Sequence, residues 1–143
     1  MRIIKKRLSS NMEDYLEAIG SLSRKKKVVR VKDLAKSLNV KTSSVNNALA
    51  TLSKAGLIVH ERYGYIELTK EGESLAQQIQ ARHNILIKFL TEILKINPQI
   101  AVEDACRMEH SISPQTFEKL REFIKFIDKF PQRKRRLRRS KNS

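Results

Sequence analysis

The chain has 143 residues, of which 40% are hydrophobic, and a formal net charge of +15. This length suits one domain, or two small domains that share a core, and leaves enough apolar residues to bury one. The single cysteine excludes an internal disulfide framework and fits a reducing cytoplasm. The sequence has no apolar run of about 18 residues and no apolar stretch near Met1, so we expect neither a membrane helix nor a signal peptide.

Three short helices are predicted in the first part of the chain. Apolar residues recur at helical spacing in residues 12–23, 31–38 and 42–55. Ser10 or Asn11 is expected to cap the first of these helices, because both side chains accept hydrogen bonds from the backbone of a first turn. The expected buried stripe of the third helix consists of Val45, Ala48, Leu49 and Leu52.

The period of the pattern then changes. Residues 57–68 contain two runs rich in β-forming residues on either side of a turn at Gly64, which predicts a hairpin. Helical spacing returns afterwards and predicts a long helix over residues 69–94, with Thr69 as its cap. Asn97-Pro98 ends that helical pattern.

Two more helices and a basic segment complete the chain. The first, over residues 100–112, carries the sequence CRMEH. Ser113 and Pro114 open the second, because a capping residue followed by proline is a typical helix start. Pro131 is expected to end it. Residues 132–143 are too charged to pack against a core.

The order helix, helix, tight turn, helix, hairpin predicts a winged helix-turn-helix. The third helix of this motif enters the major groove, where base edges are read. Asparagine contacts adenine edges with two hydrogen bonds, and Ser, Thr, Lys and Arg reach phosphates or bases. The expected DNA contacts are Arg30, Lys41, Thr42, Ser43, Ser44, Asn46, Asn47 and Lys54, with Arg62 and Tyr63 at the hairpin tip.

The charge distribution favours this interpretation over a helical bundle with an ordinary polar face. Residues 1–73 hold 15 Lys/Arg and 8 Asp/Glu, residues 74–128 hold 7 of each, and residues 129–143 hold 8 Lys/Arg and no acidic residue. The positive charge therefore lies at the two ends of the chain, and such segments suit a phosphate backbone or an anionic membrane surface. We expect the basic tail to contact DNA nonspecifically, with a solubilising end and membrane attraction as the alternatives.

Potential metal donors fall on three of the predicted helices. They are Asp14 and Glu17 on the first, His83 on the long one, and Cys106, Glu109 and His110 on the helix with CRMEH. Residues three or four apart share a helix face, so the donors on each helix can act together. Each donor taken alone also has a simpler interpretation, as a helix-terminal charge, a structural histidine or a small buried cysteine. Spacing alone leaves both interpretations open.

Four segments together resemble the diphtheria-toxin-repressor and manganese-transport-regulator family. They are MEDYLEAI (12–19), TSSV (42–45), ARH (81–83) and DACRMEHSIS (104–113). The resemblance runs from residue 10 to about residue 128 in order and spacing. It implies a homodimer with an N-terminal winged-helix domain and a helical metal-binding and dimerisation domain, activated by Mn²⁺ or Fe²⁺ to repress metal-uptake genes. It implies the metal ligands Asp14, Glu17, His83, Cys106, Glu109 and His110.

This chain combines features of both branches of that family. Manganese-type members have Asp at the position of Asp14, as this chain does, but usually have Glu at the position of Cys106. Iron-type members have Cys at the position of Cys106 but Met at the position of Asp14. Iron-type members also have a His and a Glu where this chain has Val102 and Ile87. Carboxylates and imidazoles suit Mn²⁺ or Fe²⁺, and one thiolate shifts the preference towards Fe²⁺, Co²⁺ or Zn²⁺, so the last two are expected to substitute in vitro.

We therefore expect a mainly α protein that acts as a metal-dependent repressor on a double-stranded DNA operator in the cytoplasm. The expected domains are residues 1–73 for DNA binding, 74–130 for metal binding and dimerisation, and 131–143 as a basic tail. The expected dimer contacts are the apolar stripe Phe117, Leu120, Phe123, Ile124 and Ile127. The alternatives are a metal-independent winged-helix regulator and a small metalloenzyme. No nucleophile–base pair or glycine-rich phosphate loop supports an enzyme.

Overall fold

A computed structural model describes residues 8–61 and 64–129. It is mainly helical, as predicted. The elements are α1 (Ser10–Lys25), β1 (Val29–Arg30), α2 (Val31–Leu38), α3 (Thr42–Lys54), β2 (Ile58–His60), β3 (Tyr65–Leu68), α4 (Lys70–Lys88), a π-helical turn (Phe89–Ile93), α5 (Pro98–Ser111) and α6 (Pro114–Lys129). The chain divides into two compact units between Gln80 and Ala81, inside α4. The domain boundary expected after residue 73 remains a prediction.

The first unit is a winged helix-turn-helix. Its sheet has the antiparallel order β1-β3-β2, and the hairpin of β2 and β3 is the predicted one. Strand β1 was not predicted, because two residues are too few to show an alternating pattern. It pairs Arg30 with Tyr65, the first residue of β3. The hairpin connection continues with a hydrogen bond from the backbone N–H of Glu61 to the carbonyl oxygen of Tyr65, at 2.8 Å.

One apolar core holds this unit together. The four residues predicted for the inner side of α3 are all buried, and they meet Tyr15, Leu16 and Ile19 of α1 and Leu34 of α2. The beginning of α4 adds Leu75, Ala76 and Ile79. Because these apolar residues fix one side of α3 against the core, its polar side is held towards solvent.

Helix α1 is longer than predicted at both ends. It begins at Ser10, and its cap is Ser9, whose hydroxyl accepts a hydrogen bond from the backbone N–H of Met12 at 3.2 Å. The expected caps Ser10 and Asn11 therefore lie inside the helix. At the other end α1 continues past the predicted end at residue 23 through Arg24 and Lys25, because two cations are favourable in the last turn of a helix.

The second unit contains the end of α4, the π-helical turn, α5 and α6. The predicted long helix is α-helical only to Lys88; the backbone N–H of Leu94 then bonds to the carbonyl oxygen of Phe89, five residues back. Helix α5 begins at Pro98, earlier than expected, with Asn97 as its cap. The predicted cap Ser113 is confirmed by its 3.1 Å bond from the N–H of Thr116.

Two apolar clusters stabilise this second unit. Leu86, Leu90, Ala101 and Ala105 form one of them between α4 and α5, and Ile93, Ile124 and Ile127 form the other with α6. An ion pair of 2.6 Å between Lys88 Nζ and Asp128 Oδ2 also joins α4 to α6. In the part of the chain that the structure describes, no helix combines the length and the apolar character needed to cross a membrane.

Candidate functional site

The outer side of α3 is a continuous polar surface. The residues predicted to contact DNA on and beside this helix are all exposed: Lys41, Thr42, Ser43, Ser44, Asn46, Asn47 and Lys54. They lie opposite the buried stripe that begins at Val45. Lys41 precedes the first turn and no acidic residue occupies that turn. The surface therefore presents hydroxyl and amide groups at a positively charged helix start, which suits contact with phosphates and base edges.

Arg30 lies at the base of the wing. Its Nη2 donates a hydrogen bond to the Tyr65 hydroxyl at 3.2 Å, and its guanidinium carbon lies 5.0 Å from the centre of the Tyr65 ring. This stacking holds a cation beside the first residue of β3 while leaving Arg30 exposed. The expected contacts Arg62 and Tyr63 lie outside the described residues.

The start of α2 is stabilised by a carboxylate that the sequence analysis did not single out. Asp33 Oδ2 accepts a hydrogen bond from the backbone N–H of Arg30 at 2.9 Å, and Oδ1 accepts one from Lys26 Nζ at 2.8 Å. The hydrogen bond from Lys26 is the main reason that the pKa of Asp33 lies below its usual 3.8, and the Arg30 N–H also lowers it. Asp33 thus stabilises the helix that supports α3.

The candidate metal donors of the second unit lie on α4 and α5. Glu109 is the one buried charged residue within residues 8–61 and 64–129, and only 1% of its side chain is exposed. Its Oε1 lies 3.4 Å from Nδ1 of His83. On the same face of α5, Cys106 and His110 are half-buried, and donor atoms of these two residues lie within 4.8 Å of each other.

Sequence reasoning missed the role of Arg82. Its Nη2 lies 3.3 Å from Oε2 of Glu109, on the carboxylate oxygen that does not face His83. The only sequence signal was its position next to His83 in the ARH segment. Met108, the remaining sulfur-containing residue of CRMEH, packs against the apolar cluster of Leu86.

Asp14 and Glu17 belong to the first unit, where they are half-buried and lie three residues apart on α1. Three residues of an α-helix turn through most of one revolution, so the two carboxylates share a side of the helix. The carboxylate, imidazole and thiolate groups of these side chains are donors of the kind that bind divalent transition metals. The residues present therefore fit a metal.

The apolar stripe of α6 divides into two sides. Ile124 and Ile127 are buried inside the unit, and Leu120 and Phe117 pack partly against its clusters. Phe123 is 41% exposed. Its neighbour Phe126, which was not among the predicted dimer contacts, is 40% exposed. The assignment of the whole stripe to a dimer interface remains a prediction.

Two family models cover almost the entire described chain. The iron-dependent repressor N-terminal DNA-binding domain matches residues 7–66, and the iron-dependent repressor metal-binding and dimerisation domain matches residues 69–138. The chain belongs to the iron-dependent repressor family. This family of metal-dependent transcriptional regulators is the one that the sequence motifs resemble, and its members are regulators rather than enzymes.

Individual relatives agree with this assignment. An uncharacterised HTH-type transcriptional regulator of Methanocaldococcus jannaschii is 36% identical over 124 residues, which cover 85% of this chain and 99% of the relative. The HTH-type transcriptional regulator MntR of Lysinibacillus sphaericus is 30% identical over 131 residues, which cover 92% and 94% of the two chains.

A solved structure of the manganese regulator SloR has the same fold. Its TM-score is 0.70 at 27% sequence identity, and the match covers 80% of this chain and 54% of that one. The present chain thus spans about half the length of the solved structure, although it spans nearly all of the two sequence relatives.

Proposed function

We propose that this iron-dependent-repressor family member is a homodimeric repressor that binds a DNA operator in the cytoplasm when Mn²⁺ or Fe²⁺ occupies its donor set. The proposed ligands are Asp14, Glu17, His83, Cys106, Glu109 and His110. The observation that carries the proposal is the buried Glu109 carboxylate beside His83, in a chain whose other unit exposes the polar side of a recognition helix.

The chemistry of the donors supports metal dependence. Three carboxylates and a potential thiolate repel one another when no cation is shared between them. A divalent ion supplies the positive charge that offsets this repulsion. Oxygen and nitrogen donors favour Mn²⁺ and Fe²⁺, and the manganese named for the SloR structure supports the same choice. Cys106 adds a sulfur donor that favours Fe²⁺, Co²⁺ or Zn²⁺.

Regulation follows from the distribution of the donors over the two units. Asp14 and Glu17 belong to the DNA-binding unit, whereas the other four belong to the unit that matches the dimerisation domain. A shared ion therefore favours one arrangement of the two units, which is a shift of population rather than a new contact with DNA. In a dimer, that arrangement sets the two copies of α3 about 34–36 Å apart, one turn of DNA.

The test is a double variant, Glu109→Gln with His110→Ala. The DNA probe is a sequence selected from a random pool by the wild-type protein in the presence of Mn²⁺. Wild type should bind this probe about tenfold or more tightly with Mn²⁺ than after chelation, within the usual range of coupled binding. The double variant should remain folded and dimeric, bind the probe weakly and show no response to Mn²⁺.

Glu103→Gln is the matched control, because Glu103 is an exposed carboxylate on the same helix α5. It should respond to Mn²⁺ like wild type. Two results contradict the proposal: a double variant that still binds DNA more tightly when Mn²⁺ is added, or a wild type that binds equally well after thorough chelation. The second result would favour a metal-independent regulator.

A further inference from the structure

The two carboxylate oxygens of Glu109 face two different partners. Oε2 lies 3.3 Å from Arg82 Nη2, and Oε1 lies 3.4 Å from His83 Nδ1. The Glu109 side chain is 1% exposed and that of Arg82 is 21% exposed. A guanidinium stays charged in proteins, so Arg82 is a permanent cation beside a carboxylate that is almost fully removed from water. This pair is therefore much less screened than an ion pair at the surface.

We propose that Arg82 is a built-in counter-cation for Glu109, which competes electrostatically with the divalent metal and so lowers the affinity of the site. The inference rests on the proposed function, in which Glu109 and His83 are metal ligands. Without metal, the guanidinium compensates the buried negative charge. When Glu109 also serves as a ligand, the guanidinium and a divalent ion share one carboxylate and repel each other.

The consequence is an unequal effect on the two states of the protein. Removal of the Arg82 charge takes a favourable attraction away from the metal-free state. The metal-bound state loses the same attraction but also loses the repulsion between two cations, so it is affected less. The metal affinity should therefore rise when the arginine is replaced by a neutral residue. By linkage, the metal concentration needed for DNA binding should fall by the same factor.

A purely structural ion pair behaves differently. Its loss lowers the stability of both states equally and leaves the metal affinity unchanged. The same helical unit offers a comparison in Lys119 and Glu122 of α6, whose Nζ and Oε1 atoms are 3.9 Å apart and whose side chains are 73% and 59% exposed. Such an exposed pair contributes little to stability. Lys119→Gln is therefore a matched control for loss of a cation.

The first experiment measures Mn²⁺ binding to the full-length protein without DNA, by calorimetric titration, together with thermal unfolding of the chelated protein. After chelation, Arg82→Gln should unfold at a lower temperature than wild type. It should bind Mn²⁺ at least about fivefold more tightly, which is the lower end of the range usual for coupled sites. Arg82→Lys keeps the charge and should lie closer to wild type in both measurements. Lys119→Gln should match wild type. Mn²⁺ affinity that is unchanged or weaker in Arg82→Gln overturns the proposal.

A second experiment uses only the chelated protein, so it does not depend on metal binding. The unfolding free energies of Arg82→Gln, Glu109→Gln and the double variant form a double-mutant cycle with wild type. Arg82→Gln should lower the free energy of unfolding much less in the Glu109→Gln background than in wild type. Strictly additive changes in this free energy overturn the proposal.

The Mn²⁺ titration separates two failures. A wild type that binds no Mn²⁺ overturns the proposed function and the competition with it. A wild type that binds Mn²⁺, with no gain in Arg82→Gln, overturns only the role of Arg82.

Discussion

Replacement of Gly72 by alanine should destabilise the DNA-binding unit, although alanine is normally the better helix residue. Gly72 is buried in the first turn of α4. A Cβ built there lies 1.9 Å from the carbonyl oxygen of Leu57 and 2.9 Å from its carbonyl carbon. These are backbone atoms at the entry to β2, so they cannot rotate away as a flexible side chain does.

The surrounding hydrogen bonds make this close approach difficult to relax. The N–H of Thr69 donates to the Leu57 oxygen at 3.0 Å, and the Thr69 hydroxyl donates to the Gly56 carbonyl at 2.7 Å while accepting from the N–H of Gly72 at 3.0 Å. A shift that accommodates a methyl group lengthens several of these bonds together. The start of α4 is thus held against the segment that joins α3 to the wing.

The size of the effect follows from three contributions. Alanine in a helix favours folding by about 0.5–1 kcal/mol relative to glycine. Overpacking costs about 1–3 kcal/mol, and each weakened hydrogen bond costs about 0.5–1.5 kcal/mol. The net loss is about 2 kcal/mol. For a domain of roughly 60–100 residues this corresponds to a fall in Tm of about 8–16 °C.

Urea and thermal unfolding followed by circular dichroism measure this loss directly. Gln77→Ala is the control, because Gln77 is an exposed residue of the same helix, and it should change stability by no more than about 0.5 kcal/mol. A Gly72→Ala protein as stable as wild type, or more stable, would refute the reasoning, since helix propensity alone would then decide the outcome.

Three further predictions concern the DNA surface, the tail and the support of α2. Asn46→Ala or Asn47→Ala should reduce discrimination between the selected DNA and random DNA by about 1–3 kcal/mol, and equal loss on both DNAs would mean that α3 reads no bases. Deletion of residues 132–143 should make the negative slope of log K against log[salt] shallower by about 0.9 per lost phosphate contact. An unchanged slope would exclude a DNA role for the tail. Asp33→Asn should lower the urea midpoint at neutral pH, and the difference from wild type should shrink in acid. The pKa of Asp33 is lowered chiefly by Lys26, so its stabilisation is present above the unfolded value and disappears as the pH falls through the folded one. A pH-independent difference would contradict this.

The sequence predicted those features of the fold that depend on local periodicity. The inner stripe of α3 was assigned correctly at all four positions, because one side of a helix must face the core. The hairpin and the cap Ser113 also follow from local turn and capping chemistry. Features that depend on distant contacts were not predicted. Strand β1 exists only because β3 pairs with it, and the close approach of Gly72 depends on Leu57.

The candidate site has the same limit. Spacing could group Cys106, Glu109 and His110 on one face, but it could not assign Arg82 to the Glu109 carboxylate, 27 residues away in sequence. The stripe of α6 illustrates a second limit. Amphipathic spacing indicates that a helix has an apolar side, and it does not distinguish a contact inside the unit, as at Ile124, from an exposed side chain, as at Phe123.

Electrostatics constrain how a metal can regulate this protein. Residues 1–73 carry a net charge of +7 and residues 129–143 one of +8, so the chain attracts DNA whether or not metal is bound. At the proposed site, a divalent ion would add only two positive charges among carboxylates, so it would change the number of phosphate contacts little. In the proposed dimer, metal dependence would then come from the arrangement of the two copies of α3. We expect Mn²⁺ to raise affinity for the selected DNA with almost no change in affinity for random DNA, measured by fluorescence anisotropy over a range of salt concentrations. An equal increase on both DNAs would show that metal acts through charge alone.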